Sequence, residues 1–543
     1  MSEVVTLPRP RTSTATLIRS TGLVAAVKGL DFGLSFLVSV LLASRFGATG
    51  QLDAFFLARR TTVGFADTIR KLVGQVVLPP AIAAIDRGET PSIHVLPKRI
   101  YWFLAGFVAL TLTGTFLPST LVHAFAPGFS GGRHDLTAEM MAIMMPLLPI
   151  AIVASLLAAV LQAKRRYLLT EGTNLVQRGL LVLVLALAVP PLGIVAGAWT
   201  MLASGIVGLA ILVAGAWTIV RHRPRIDADP GAVQDAPVSD GAAPALAATG
   251  GGVAAAIVIN IYFQGTALLD FAWASTTPDG GVAALEYGAR LVSLVPGLLM
   301  SSLAVVLQPE LVRAVQHPDR RAAAAGLQRF QRIAFFAQLP VSIGMMLGAE
   351  LMVRILFGYG AFDEASIGIT AATTAGYAAA AMALAPMTAT TSAIYADPRG
   401  PSFGDLAIIA AGGLLIRESM LAIAAPAWGA AGIAWAAALS TLLAALLAQG
   451  VAIRRFRDFD MAAQTGDMAR TALCGAAAAA AGAALLFAVA MPGGVVPRLA
   501  LLAGLGALVV ASYLGTALML GVPEVASARD VALAAVARRR ARR

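Results

Sequence analysis

The stretch from Asp53 to Pro80 reads DAFFLARRTTVGFADTIRKLVGQVVLPP and places Asp53, Arg59, Arg60, Asp67, Arg70 and Lys71 in one otherwise apolar segment. Arg60, Asp67 and Lys71 follow Asp53 by 7, 14 and 18 residues. At about 100° per residue a helix carries these four on one narrow face, with Arg59 and Arg70 beside it. Asp67 is within helical reach of Arg70 or Lys71, which neutralises part of the charge, and the segment stays net positive. Near a bilayer centre each charge costs roughly 2.5 to 3.5 kcal/mol, so a span holding six has to face a hydrated cavity rather than lipid. A cationic stripe at low dielectric suits a phosphate or pyrophosphate, whose oxygens match the forked donors of arginine. The alternative is that the charges snorkel to the interfaces or pair only to hold the helix in place.

Further polar groups lie in other apolar segments. Lys28, Asp31, Ser35 and Ser39 form a second stripe at spacings of 3, 7 and 11, in which Lys28 and Asp31 are either site residues or a structural pair. Glu286 precedes Arg290 by four residues, so an i,i+4 pair is available. Arg417 and Glu418 are adjacent, point about 100° apart on a helix and therefore seek partners on other helices, either to brace the bundle or to line a cavity. Asp270, with Asn260 and Gln264, is either part of a small-cation site or, the weightier reading, a satisfied contact between helices. The chain has no HExxH, GxxxxGK[ST] or GxSxG pattern, so zinc, nucleotide and acyl-enzyme chemistry have no support. No catalytic residue, metal ligand or cofactor is expected, which argues for transport rather than catalysis.

The elements that must position these residues follow from composition. The 543 residues are 58% hydrophobic and 13% charged, with mean hydropathy +0.80, against a soluble norm of about 45 to 50% apolar and about 25% charged. About fourteen apolar runs, from 18–45 and 53–83 to 468–491 and 498–521, are long enough to cross a core about 30 Å thick as helices. With the N-terminus inside, inside connections hold arginine clusters such as Lys164 to Arg166, Arg221 to Arg225 and Arg454 to Arg457, whereas outside loops show only Arg45, Arg133 and Arg498. That bias places both termini in the cytoplasm. The net charge of +11 is therefore mostly topology, and nucleic-acid binding is excluded for want of a basic soluble module. The closing RRRARR is suited to anionic lipid headgroups. The sole cysteine, Cys474, permits no internal disulfide and sits in an Ala-rich apolar run, where packing is its expected role. The first apolar run is too long for a typical signal peptide and is expected to stay uncleaved.

One polar break, 221–246, cannot form a buried core and divides six spans from eight. The expected organisation is a cytoplasmic tail (1–17), an N-terminal lobe of six helices (18–220), a cytoplasmic linker (221–246), a C-terminal lobe of six helices (247–452), two more helices (453–521) and a basic cytoplasmic tail (522–543). Arg60 precedes Pro79 and Arg290 precedes Pro309 by nineteen residues each, with the proline taken as the cytoplasmic end of its helix. This echo supports a parallel repeat of the kind that lets two lobes expose a central site alternately. The fold class is thus an all-α integral membrane protein: two six-helix lobes in parallel pseudo-repeat plus two C-terminal helices.

Three pieces of sequence carry a family resemblance. They are Phe46-Gly47-Ala48 with Asp53-Ala54-Phe55-Phe56; Tyr287-Gly288-Ala289-Arg290-Leu291 with Pro296-Gly297 and Gln308-Pro309; and Leu356-Phe357-Gly358-Tyr359-Gly360-Ala361-Phe362 with Tyr395 and Asp397-Pro398-Arg399 downstream. In this order they resemble the MurJ/MviN family of lipid II flippases, within the multidrug/oligosaccharidyl-lipid/polysaccharide exporter superfamily. The resemblance implies alternating access in a bacterial inner membrane, with a polyprenyl-pyrophosphate-linked oligosaccharide as cargo and proteins of cell-wall synthesis as candidate partners. Lys28, Arg59, Arg60 and Arg290 would then grip the pyrophosphate. Asp53 would gate the outer side, and Asp31, Asp67, Arg70, Lys71 and Glu286 would supply ion pairs. The chain departs from the family pattern in the first helix, where Lys28 and Asp31 sit about one turn early, in Phe65 to Gly74, and near Met387 and Thr388, where the family carries a lysine. Only Asp53 and Arg290 carry over residue by residue. Export of another polysaccharide lipid, drug antiport and a non-transporting membrane scaffold are the alternatives.

Overall fold

The computed structural model describes residues 14–76, 98–164, 166–187, 193–221, 250–317, 319–397, 399, 403–456 and 458–525. Among them there is no strand. The helices are α1 (Thr14–Phe46), α2 (Gly50–Val76), α3 (Lys98–Phe116), α4 (Pro118–Phe125), α5 (Gly131–Met144), α6 (Leu147–Ala163), α7 (Tyr167–Leu187), α8 (Val195–Arg221), α9 (Gly250–Ala274), α10 (Gly281–Gln316), α11 (Arg320–Leu347), α12 (Ala349–Leu356), α13 (Glu364–Ala396), α14 (Phe403–Arg455), α15 (Met461–Ala488) and α16 (Val495–Met519). Several starts are written in the sequence as acidic caps. Asp319, Asp363 and Asp460 each accept a hydrogen bond from a backbone amide in the first turn of α11, α13 and α15, at 2.9, 2.8 and 3.0 Å.

Eleven helical stretches among the described residues are long and apolar enough to cross a membrane, or twelve when α3 and α4, bent by 107°, count as one span. The count is close to the roughly fourteen spans expected from sequence, and two features account for the difference. Phe403–Arg455 counts once but is two helices joined at a kink, Gly429 (φ 57°, ψ −142°). α2 carries too many charges to be apolar on its own. A correction concerns Pro309. It does not end its helix: α10 continues to Gln316 with Pro296 and Pro309 inside it, because Leu307, Leu311 and Val315 pack against Ala323, Leu327 and Phe330 of α11. Its counterpart Pro79, the 221–246 linker after Arg221, residues 1–13 of the N-terminal tail and most of the basic tail lie outside the described residues.

α1 packs on α7, α2 on α5 and α6, and α8 on α6 and α7; in the second half α13 packs on α10, α11 and α14, α9 on α14, and α15 on α11 and α16. The halves meet where α2 crosses α9 and α10 and where α4 touches α9. The three sequence motifs gather at one end of this seam. Ala361 donates its backbone N–H to the Ser44 carbonyl at 2.9 Å, Arg133 pairs with Asp279 at 2.9 Å, and Gly128 N–H donates to the Ser275 hydroxyl at 3.0 Å. Tyr287 packs edge-on to Phe56 at 5.4 Å and lies 4.9 and 5.7 Å from Phe357 and Phe362.

Glycine is required where backbones touch. Gly280 has φ 92°, and a Cβ there would overlap the Ala48 carbonyl oxygen across the seam. Gly131 is an internal control, with φ 54° and nothing within 4 Å of where a Cβ would stand. Left-handed strain costs roughly 1–2 kcal/mol for a residue with a Cβ, so Gly131→Ala is expected to lose about that much. Gly280→Ala is expected to lose clearly more, because the seam must also part. Thermal unfolding of the two purified variants in one detergent checks this, and equal losses would contradict it.

Candidate functional site

Midway along the seam, four helices bring charged side chains together. α1 offers Asp31, Ser35 and Ser39, which share a face by their spacing of four. α2 brings Arg59, α7 brings Arg178, and α10 brings Glu286 and Arg290. Arg59 pairs with Glu286 across the two halves at 3.1 Å. Arg178 pairs with Asp31 and donates to the Ser35 hydroxyl at 2.9 Å. Arg290 reaches the Ser39 hydroxyl at 3.4 Å, and its guanidinium lies in the field of Arg59, Glu286, Arg178 and Asp31 together. Three arginines against two carboxylates leave an excess of positive charge. The Arg59 and Glu286 side chains keep 18% and 17% of their surface exposed, and those of Arg178 and Asp31 keep 37% and 24%. Partly exposed guanidinium groups with hydroxyls beside them can take up a multi-oxygen anion.

The residues expected from sequence are distributed unevenly around this cluster. Arg59 is the α2 arginine that meets Glu286 and shares surroundings with Arg290. Arg60, one residue and about 100° further on, stands with its Cζ 5.8 Å over the Phe271 ring of α9 and close to Tyr377 of α13. Its Nε is buried without a hydrogen-bond partner. Glu286 goes to Arg59 rather than to Arg290, because contact across the seam is closer than the i,i+4 contact on one helix. Asp31 likewise takes Arg178; the Lys28 side chain lies outside the described residues. Asp67 and Arg70 form an exposed i,i+3 pair at 3.2 Å, and Lys71 is exposed. The four-residue stripe of α2 therefore serves several neighbours rather than one surface.

Asp53 is 1% exposed, and its two carboxylate oxygens accept the Gly280 and Ala283 N–H groups at 2.7 Å each. It caps α10 from the other half, satisfying amides that have no partner within their own helix. Arg178 is the site residue that spacing along the chain does not single out. Its signal is nonetheless present: a lone arginine well inside the apolar run 172–190.

A second charged group has a different character. Arg417 donates from Nε to Asp270 at 2.8 Å and through a second nitrogen to the other carboxylate oxygen, with further bonds to the Ala437 carbonyl and Ser440 hydroxyl at 3.1 and 2.9 Å. Tyr377 donates its hydroxyl to Asp270 at 2.9 Å. Glu418, turned away from Arg417, accepts from Trp273 Nε1 at 3.1 Å. Both oxygens of Asp270 are thus engaged by protein donors, and the small-cation reading gives way to an interhelical contact joining α9, α13 and α14. Far along α13, Asp397 follows its end. Burial pushes its carboxyl up, but hydrogen bonds from Arg399 and Arg455 outweigh this and hold it at about 2, so it is an anionic staple between α13 and α14. Removing one partner from a buried pair costs roughly 3–5 kcal/mol, whereas replacing both with apolar groups is far cheaper. Arg417→Leu alone is therefore expected to destabilise the protein strongly and the Asp270→Leu/Arg417→Leu double variant much less. Thermal unfolding checks the order, and a double variant worse than either single would refute it.

Comparison with known proteins places this geometry. The family profile described as "Lipid II flippase MurJ" matches residues 42–504. A "Probable lipid II flippase MurJ" from Rhizobium meliloti (strain 1021) is 26% identical over 370 residues, an alignment that takes in 63% of this chain and 64% of that relative's length. The chain thus aligns with less than two thirds of that protein. Among solved structures, one described as "Lipid II flippase MurJ, inward closed conformation" superposes with a TM-score of 0.67 at 16% identity, covering 91% of this chain and 98% of that one. An inward-facing multidrug resistance MATE family transporter of the MOP superfamily gives a TM-score of 0.60 at 13% identity, with 78% and 94% covered. The fold is shared with both, and by the extent of the profile match this multi-pass membrane chain belongs to the lipid II flippase MurJ family.

Proposed function

We propose that the protein is a flippase, not an enzyme, that moves a polyprenyl-pyrophosphate-linked oligosaccharide across a bacterial cytoplasmic membrane by alternating access, with lipid II as the cargo that its relatives' names indicate. The observation that carries this reading is the meeting of Arg59 from one half with Glu286 and Arg290 from the other, in a partly exposed, net basic cluster. The two halves would act as lobes, 18–220 and 247–452, joined by the 221–246 linker, with α15 and α16 as an addition. The arginine bias of the connections assigns the Asp53 end to the outside and both termini to the cytoplasm. On that assignment the outer end is sealed, and Asp67, Arg70 and Lys71 are exposed on the inner side, where an anionic headgroup would first be met.

In such a cycle the pyrophosphate displaces water from Arg59 and Arg290 and competes with Glu286 for the Arg59 guanidinium. Arg60, turned toward Phe271, takes no part in this grip. Outer opening requires Asp53 to release Gly280 and Ala283. A drug antiporter for cationic cargo would present net acidic charge, which this pocket does not, so that reading is disfavoured. Export of another polysaccharide lipid keeps the same anion chemistry, and a scaffold without transport would need none of it.

Complementation separates these. Expression in a cell depleted of its lipid II flippase is expected to restore growth and lipid II translocation. A charge-assisted hydrogen bond is worth about 1.5–3 kcal/mol, or roughly 10- to 100-fold in affinity, so Arg290→Ala and Arg59→Ala are expected to weaken rescue by that order. Stable expression without rescue would point to another glycolipid or to the scaffold, and full rescue by both variants would take Arg59 and Arg290 out of the binding site.

A further inference from the structure

The transport cycle above gives the guanidinium of Arg178 no step, yet its position is unusual for a structural residue. It lies near the middle of α7, in a helix running from Tyr167 to Leu187, where an arginine is costly unless something uses it. The protein shows elsewhere how it treats an arginine meant only to bind helices together. Arg417 is 6% exposed and engages Asp270, Ala437 and Ser440. Arg178 is different on each count. Its side chain keeps 37% of its surface exposed, and its partners are Asp31 and the Ser35 hydroxyl of α1. It stands on the same face of α1 as Ser39, which Arg290 touches. Asp31 is 24% exposed, so this pair is not closed off inside the protein as Asp270 and Arg417 are.

We infer that Arg178 is a further anion-binding residue of this chamber, with Asp31 as its exchangeable counter-ion. The inference rests on the pyrophosphate reading of the site. In the resting pocket Asp31 neutralises Arg178 and orients its fork toward α1. An arriving pyrophosphate offers the same guanidinium oxygens of higher charge, and Arg178 exchanges one acceptor for another with little new ordering. A cation beside Asp31 is thereby contributed by α7. No proton or covalent bond changes hands.

The test uses the full-length protein in detergent, with farnesyl pyrophosphate as probe and farnesol as the uncharged control. Wild type is expected to prefer the pyrophosphate. Arg290→Ala should lower its affinity at least about tenfold, and Arg178→Gln about tenfold, the loss of one charge-assisted contact. Arg178→Lys should fall between Arg178→Gln and wild type. Asp31→Asn decides between roles: it breaks the pair as completely as Arg178→Gln, so a merely structural pair predicts weakened binding, whereas a counter-ion predicts binding several-fold tighter than wild type. Thermal unfolding of each variant monitors folding. Should Arg178→Gln fail to fold, the Asp31→Asn result stands alone, and weaker or unchanged binding there overturns the inference. Wild-type affinity from Arg178→Gln, with Arg290→Ala impaired, would sink Arg178 and leave the pyrophosphate reading standing. Equal binding of farnesol and farnesyl pyrophosphate by wild type would sink that reading itself.

Discussion

A charge inside a membrane has to be either fully paired or kept wet, and both solutions occur in this protein within a short distance of each other. Asp270 and Arg417 take the first. Both Asp270 oxygens and all three guanidinium nitrogens of Arg417 are engaged, by Tyr377, Ser440, the Ala437 carbonyl and each other. Arg59, Arg178 and Arg290 take the second, with two carboxylates among three guanidinium groups and partial exposure retained. The first arrangement gains from rigidity, because removing any partner leaves a bare charge. The second keeps donor capacity in reserve for an anion, and the arrangement of α1, α2, α7 and α10 is what holds it open.

The spans were legible because a helix must hide its backbone from lipid and needs about 20 apolar residues to do so. Their number was less so. Phe403–Arg455 divides into two helices only through the non-helical backbone of Gly429, and α2 is held in the bundle by partners rather than by its own hydropathy. The charges were visible too, since arginine in an apolar run stands out, but their partners were not. Spacing along one helix offers Arg290 to Glu286 and Arg60 to the central stripe; packing gives Glu286 to Arg59 and turns Arg60 toward Phe271. Adjacent residues on a helix differ by about 100°. Which of two neighbouring arginines faces the pocket is set by the phase of α2 against α9 and α10, information that no local pattern contains. Arg178 escaped notice because it stands alone in its segment, its carboxylate lying on another helix.

The sequence motifs tell a related story. FGA with DAFF, YGARL and LFGYGAF are far apart in the chain and meet at one end of the seam. There, glycines permit backbone to touch backbone, and Asp53 caps a helix of the opposite half. Hydrogen bonds between main chains across a seam demand close approach, and close approach demands residues without a Cβ at the crossing points. These motifs therefore describe how one end closes.

Closure and binding are linked through α2 and α10, the two helices that contribute to both. Asp53 and Arg59 are six residues apart on α2, and their partners, Gly280 with Ala283 and Glu286, lie within two turns on α10. A rotation of α10 that freed its N-terminal amides from Asp53 would also move Glu286 relative to Arg59. An anion that took Arg59 from Glu286 would remove one of the ties holding α10 against α2, and would leave the Asp53 cap as the neighbouring one. A ligand shifts a conformational equilibrium only by its difference in affinity for the two states. On the proposed reading that difference would have a specific source: Glu286 would compete with the ligand for Arg59 while the seam is closed, and would cease to compete once α10 swung away.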